Sequence, residues 1–283
     1  TMTPNHADAT LDANGGTNTW AGDITPTTGT ASRGISFTTT GAGSKLVVNG
    51  NVNTTSAAGR YFFKPASGTT ITVNGVLSGP AAVSSSGTVA TVELLGLNDY
   101  TGATSVGIAT FVINTIKNVG GGPSSLGAPT TVANGTISLS ASNQQGTLKY
   151  IGTGDTTDRV INMAGTSNYG SVLDMSGTGL LKFTSSVAAV SGGNKILTLQ
   201  GSTAGVGELA GDLSNGSTTS IGITKAGTGT WVLSGNNTYT GATTVNGGTL
   251  LYNGMLNAGA GAVTVNNAGT LGGYGVIERP VTA

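Results

Sequence analysis

Cysteine is absent from the 283 residues, and histidine occurs once, as His6. A zinc centre in its usual forms needs Cys and His ligands that this chain does not supply. A Ser–His–Asp triad could draw only on His6. Charge is scarce too: Asp, Glu, Lys and Arg make up 8% of the chain, against a usual share of about 25%. Eleven basic residues balance eleven acidic ones, so nothing here would neutralise a phosphate backbone, and nucleic acid is a poor partner. The carboxylates Asp8, Asp12, Asp23, Glu93, Asp99, Asp174, Glu208, Asp212 and Glu278 stand singly. Hydrolases and lyases that act on polysaccharide need clustered acids, or a base beside a metal, so the expectation is a chain that is not an enzyme. No apolar run approaches the ~20 residues of a membrane-spanning helix. No strand series suggests an outer-membrane barrel. The chain opens on Thr1, with no basic and then apolar leader, and reads as a processed N-terminus of a secreted protein.

Glycine, by contrast, is abundant, at 49 of 283 residues, far above the average of about 7%. A Gly-rich chain can be disordered, but here 37% of residues are hydrophobic and they alternate, which disordered chains do not do. Glycine has no three-residue period, so collagen is excluded. The alternation is clearest in Lys225–Leu251, KAGTGTWVLSGNNTYTGATTVNGGTLL. In Thr230–Leu233, Trp231 and Leu233 fall on one face and Val232 on the other, as a strand's period of two requires. A polar corner, Ser234–Gly241, leads to a second strand at Thr243–Val245, with turn chemistry in Gly235-Asn236-Asn237.

This unit recurs. Thr264-Val265-Asn266 copies Thr244-Val245-Asn246, and Gly269-Thr270-Leu271 copies Gly248-Thr249-Leu250, each about 20 residues further on. Residues from Val92, VELLGLNDYTGATSV, align without a gap with WVLSGNNTYTGATTV, which begins at Trp231. Looser echoes of Val-x-Asn-Gly stand at Val48-Asn49-Gly50, Val73-Asn74-Gly75 and Val132-Ala133-Asn134-Gly135. A fixed period of this size is the signature of a solenoid, in which each coil buries its inner face only against its neighbours. A sandwich would use the Asn-Gly pairs as hairpin turns. Hairpin pairing does not explain such a repeat, and stacked coils do.

Thr91–Val106 and Lys225–Leu251 resemble the autotransporter-associated β-strand repeat, also called the passenger-associated transport repeat. The pattern runs roughly K-x-G-x-G-T-L-x-L-S-G-x-N-T-Y-T-G-x-T-x-V-x-x-G-T-L. The second copy fits almost throughout, with Trp231 where Leu is usual. The first departs at Leu97 and Asp99 and has no counterpart of Lys225. The resemblance implies a right-handed parallel β-helix in a bacterial secreted or surface protein and carries no catalytic residues.

The whole chain then reads as a single-domain, all-β, right-handed parallel β-helix (β-solenoid). Residues 1–10 form an extended polar arm and 11–283 the solenoid, with the family-like repeats at about 91–118 and 225–257. Trp231, Leu233, Val245, Leu250, Val265 and Leu271 are expected in its aliphatic columns. Pro26-Thr27-Thr28-Gly29 reads as a turn and Gly120–Ser125 as a loop that lengthens its coil. Strands are expected at about ten-residue spacing from Thr136–Ser140 through Thr147–Ile151, Arg159–Met163, Ser171–Met175 and Leu180–Thr184 to Lys195–Gln200 and Ile221–Thr224. The Gly-rich segment Gly152–Arg159 carries the tightest acids, Asp155 and Asp158, which could hold Ca²⁺ through oxygen ligands. The plainer reading is a loop whose Asp side chains cap backbone amides and pair with Arg159. Tyr61-Phe62-Phe63 could be a sugar platform, though such clusters more often pack a core. No cofactor is implied.

The expected role is structural: a secreted, extracellular building block of a filament, sheath or matrix, its main partner another copy of itself, head to tail. Thr1, Pro4 and Thr10 at one end and Val276, Ile277 and Val281 at the other would make that contact by strand addition. A cell-surface or matrix polysaccharide is a further possible partner. The alternative is an adhesive passenger of an autotransporter-like surface protein, and the remaining reading is a carbohydrate-active β-helix enzyme.

Overall fold

The computed structural model describes residues 9–25, 34–140, 145–165, 170–189 and 192–283. Thr1, Pro4, His6 and Asp8 of the expected arm, and the turn Pro26-Thr27-Thr28-Gly29, lie outside the described residues. The architecture is an all-β parallel solenoid throughout. Its contacts fall into two compact units, 1–137 and 138–283.

In the first unit one parallel sheet stacks Ala9–Ala13, Ile35–Thr39, Arg60–Pro65, Ala82–Ser85 and Thr104–Val106. A second stacks Thr17–Trp20, Lys45–Val48, Thr70–Val73, Thr91–Leu94 and Thr110–Ile113. Strands that neighbour each other in a sheet are one coil apart in sequence, and the coil shortens along the chain. The step from Ile35 to its register partner Tyr61 is longer than the step from Val92 to Phe111. Alternation sends Phe37, Phe63 and Phe111 inward, where the first two rings stack at 5.0 Å and the second pair meet edge to face at 6.0 Å. Tyr61 and Phe63 are fully buried and Phe62 between them is half-buried on the outer side. Val132–Gly135 departs from the expected Val-x-Asn-Gly echo. It is one helical turn, begun by Thr131, whose hydroxyl accepts from the Asn134 amide at 3.3 Å.

The second unit repeats the scheme with larger sheets. One runs through Gly146–Tyr150, Ser171–Met175, Asn194–Gly201, Ser220–Lys225, Thr243–Val245, Val263–Val265 and Val281–Thr282. The next runs through Asp155–Thr157, Gly179–Phe183, Gly205–Leu209, Thr230–Leu233, Gly248–Tyr252 and Gly269–Gly272. A short third stacks Asn236–Asn237, Met255–Leu256 and Val276–Ile277. Here too the coil shortens, the step from Ile223 to Thr243 being smaller than that from Leu173 to Leu199. The period read from the repeat motif is therefore a local value.

The glycine content has a steric cause at the corners. Gly50, Gly75 and Gly96 stack in one column, and Gly235, Gly254 and Gly275 in another. A Cβ on any of them would come under 3.0 Å from the backbone of the preceding coil. Parallel coils sit about 4.8 Å apart, and where the chain bends sharply that spacing leaves no room for a methyl group.

Candidate functional site

The repeat motif can now be read atom by atom. Asn98 and Asn237 occupy equivalent positions and both are buried. Each accepts from the previous coil, Asn98 Oδ1 from the Leu77 amide at 2.8 Å and Asn237 Oδ1 from the Leu213 amide at 3.2 Å. Each donates to the next coil, to the carbonyls of Ser125 at 2.7 Å and Met255 at 3.1 Å. Two residues on, Tyr100 and Tyr239 turn inward, and their hydroxyls share a hydrogen bond with Thr104 at 2.8 Å and Thr243 at 2.5 Å. The Gly between them, Gly102 or Gly241, passes against the backbone of the coil before. Asn, Tyr, Gly and Thr at this spacing are thus a coil-to-coil staple. Burial raises the Tyr239 and Tyr252 hydroxyls above the ordinary phenol range.

Lys225, the motif's lysine, is fully buried. Its Nζ donates to the carbonyls of Ala226 at 2.6 Å and Gly247 at 2.9 Å, and burial pushes its pKa down to about 8. Nothing in the spacing marked this side chain as interior, since a lysine in a polar corner reads as solvated. Arg279 is likewise buried. It lies 4.8 Å from the centre of the Tyr239 ring, with Nε donating to Asn257 O at 2.8 Å and Nη1 to Gly241 O at 3.0 Å. These groups hold coils together and leave no reactive atom facing solvent.

Of the expected column residues, Trp231, Leu233, Val245 and Leu250 are fully buried, while Val265 and Leu271 are half-buried. Leu271 pairs with Leu250 on one side only. Asp155 lies at the start of a strand and accepts from the Tyr150 hydroxyl at 3.0 Å, and burial, with Asp155 adding to it, pushes the Tyr150 pKa up to about 12. Asp158 uses its main-chain carbonyl to accept from the Ser185 hydroxyl at 2.5 Å. Among the described residues no three His, Cys, Asp or Glu side chains gather as a metal site. Thr10 lies exposed on the strand Ala9–Ala13, while Val276 and Val281 are exposed and Ile277 is half-buried.

One surface feature of the second unit was not read from the sequence. On the outer side of the sheet that contains Thr230–Leu233 lies an open groove of about 540 Å³. Leu180, Val206, Val232 and Thr230 line it, Glu208 and Ser234 supply polar atoms, and Asn253 and Tyr274 stand at one side. Glu208 receives the Lys182 ammonium at 3.0 Å and the Ser234 hydroxyl at 2.9 Å. Tyr274 is 84% exposed. A lone, paired carboxylate is not the pair that glycoside hydrolysis uses. Leu180, Val206 and Val232 give the groove an apolar part beside the projecting Tyr274 phenol. The one available signal was Gly272-Gly273-Tyr274-Gly275, a large aromatic among glycines that no column needs.

Residues 223–251 match the Passenger-associated-transport-repeat family. The chain is 37% identical over 134 residues to the Adhesin BmaC autotransporter of Brucella suis biovar 1 (strain 1330). That alignment takes in 46% of this chain and 4% of the relative, so the chain spans a small part of that protein's length. No solved structure matches the chain. No helix among the described residues is long and apolar enough to cross a membrane. The motif's buried asparagines serve contacts between successive coils. Residues 223–251 are thus similar to the passenger-associated transport repeat, and they lie in a stack of parallel β-coils.

Proposed function

We propose that this chain is a segment of the passenger of an autotransporter-like adhesin, a solenoid that presents its outer faces to a surface outside the cell. The observation that carries this reading is the 134-residue likeness to an adhesin autotransporter. The groove beside Tyr274 supports it, since an exposed aromatic beside an apolar floor adds nothing to the packing of the coils. The test is display of residues 1–283 on a non-adherent bacterium, with attachment counted on host-cell layers and on matrix-coated wells. Attachment should rise several-fold over the empty display vehicle, and Tyr274→Ser should reduce it. Attachment equal to the vehicle's on every surface refutes the reading.

A head-to-tail homopolymer is the second reading. Val281–Thr282 pairs with Val263–Val265 on one side and is exposed. That open edge would accept another copy as readily as a further coil of a longer chain, so it does not separate the two readings. Light scattering of the purified chain does: fibres at high concentration favour the homopolymer, and a monodisperse monomer removes it.

A further inference from the structure

Two outward rows of the second unit's coils form the floor of the groove beside Tyr274. One runs from Leu180 through Val206 to Thr230, the other from Lys182 through Glu208 to Val232. The groove's volume of about 540 Å³ falls within the range of small-ligand sites, about 300–1,000 Å³. Tyr274 is held at one side by its neighbours. Gly273 has φ +115°, and a Cβ on it would meet Tyr252 O at 2.1 Å, while one on Gly275 would meet Gly254 O at 1.9 Å. The chain on both sides of Tyr274 is thus pressed onto the previous coil. The ring itself is exposed.

The polar groups are few. Lys182 Nζ and the Ser234 hydroxyl both donate to Oε1 of Glu208, at 3.0 and 2.9 Å, so Oε2 remains as an acceptor. Glu208 is the one charged residue among the described residues that line the groove, and Lys182 cancels its charge. Asn253 commits its main-chain N–H to Leu233 O at 2.9 Å, which leaves the side-chain amide to donate and to accept. The lining is therefore electrically neutral, part apolar and part hydrogen-bonding. An anion would meet the Glu208 carboxylate and a cation the Lys182 ammonium. A protein partner is held best by an aromatic or Arg anchor in a closed, dry pocket, and this groove is open.

We propose that the groove binds a neutral polysaccharide, with one hexose unit against the Tyr274 ring. A pyranose has a face of C–H groups, which suits the electron-rich face of an aromatic ring. Its edge carries hydroxyls that both donate and accept. Glu208 Oε2 accepts from such hydroxyls, and the Asn253 amide exchanges hydrogen bonds with them. Leu180, Val206 and Val232 offer an apolar floor to the C–H faces of neighbouring units. Because the ligand carries no charge, salt screening has little to weaken, and binding must survive high ionic strength. The proposal rests on the surface-displayed reading and names the class of ligand for its groove.

The test uses the purified chain and immobilised probes: mannan, galactan and dextran as neutral glycans, polygalacturonate as an acidic one, and gelatin as a protein. The expected result is binding to at least one neutral glycan, kept at about 0.5 M NaCl, with none to polygalacturonate or gelatin. Tyr274→Ser should weaken it about tenfold by removing the stacking face, and Tyr274→Phe, which keeps the ring, should stay within about twofold. Asn253→Ala should weaken it about fivefold, as one lost hydrogen bond. Ile196→Ser is the control: Ile196 is an exposed apolar residue on another sheet, and its loss should change nothing. Circular dichroism establishes that every variant is folded. No binding to any neutral glycan, loss of binding at high salt, or full binding by folded Tyr274→Ser each overturns the proposal. Binding to gelatin alone overturns it too and makes the ligand a protein. The two readings fail separately. Attachment of displaying cells without glycan binding refutes this ligand class and leaves the adhesin reading standing, while glycan binding without attachment refutes the adhesin reading and leaves the groove's ligand standing.

Discussion

Trp231 stands where the repeat usually has Leu, and the coil before it makes room. Gly207 is its register partner, and a Cβ built on Gly207 would meet the indole Cδ2 and Cε2 atoms at 2.5 Å. Ordinary packing of carbon atoms needs about 3.5–4.0 Å, so Gly207→Ala must drive the ring about 1 Å away. The ring has nowhere to go. Leu250 of the following coil pairs with it, and the indole nitrogen is tied to Gln200 O at 2.8 Å. Overpacking costs about 1–3 kcal/mol, and a weakened buried hydrogen bond costs about 1 kcal/mol more. Loss of glycine's freedom in the unfolded chain returns about 0.4–1 kcal/mol. The net expectation is about 2 kcal/mol of destabilisation, or a Tm lower by roughly 3 °C in a chain of this size. Gly192→Ala is the control, because a Cβ there meets nothing within 4 Å. Thermal unfolding is run on both, and Gly207→Ala is repeated in a Trp231→Leu background. With the smaller side chain, the alanine should cost almost nothing, a coupling of about 1.5–2 kcal/mol between the two sites. Equal costs in the two backgrounds, or a Gly207→Ala variant as stable as Gly192→Ala, would refute the steric argument.

Three further outcomes are expected. Stability should rise from pH 8 towards pH 10: burial lowers the Lys225 pKa to about 8 and lowers that of Lys195, so in this window the unfolded chain binds more protons than the folded one. Above pH 10 stability should fall, since the unfolded tyrosines ionise while buried Tyr61, Tyr150, Tyr239 and Tyr252 stay neutral; calorimetry from pH 7 to 11 that shows no rise, or a rise undiminished in Lys225→Met, contradicts the assignment. Asn237→Ala should cost about 2–4 kcal/mol by denaturant titration, because it leaves the buried Leu213 amide and Met255 carbonyl without their partner, and a loss under about 1 kcal/mol would mean the staple is incidental. A chelator should leave the melting curve unchanged, and a drop of many degrees would establish a calcium site at Asp155 and Asp158.

The strands and their inward residues were legible because period two survives any coil length. Thr230–Leu233 and Thr243–Val245 lie where the alternation puts them, and Trp231, Leu233, Val245 and Leu250 are buried. The repeat was legible because its side chains touch their equivalents one coil away, which ties residue identity to a fixed offset. Lys225 and Asn237 were not legible as interior groups. A polar residue reads as solvated unless its partners are known, and theirs are carbonyls and amides of other coils, which carry no sequence signal. The single helical turn at Val132–Gly135 was missed for a related reason: the same Asn-Gly letters serve a turn or a cap, and Thr131 decides between them. The groove stayed hidden for another reason. The groove joins residues from Gly179 to Tyr274 that only stacking brings together.

The glycine columns at the corners have a consequence for how such a chain can change over time. Where Gly50, Gly75 and Gly96 meet, backbone rests directly on backbone, so the pitch between coils is set by main-chain atoms that every sequence shares. Outward side chains on the flat faces have no say in that pitch. Substitutions there leave the framework's dimensions intact, and each face behaves as a blank page ruled at a fixed line spacing. A lineage can rewrite what it displays, one position at a time, without re-solving the fold, provided it leaves the corners alone.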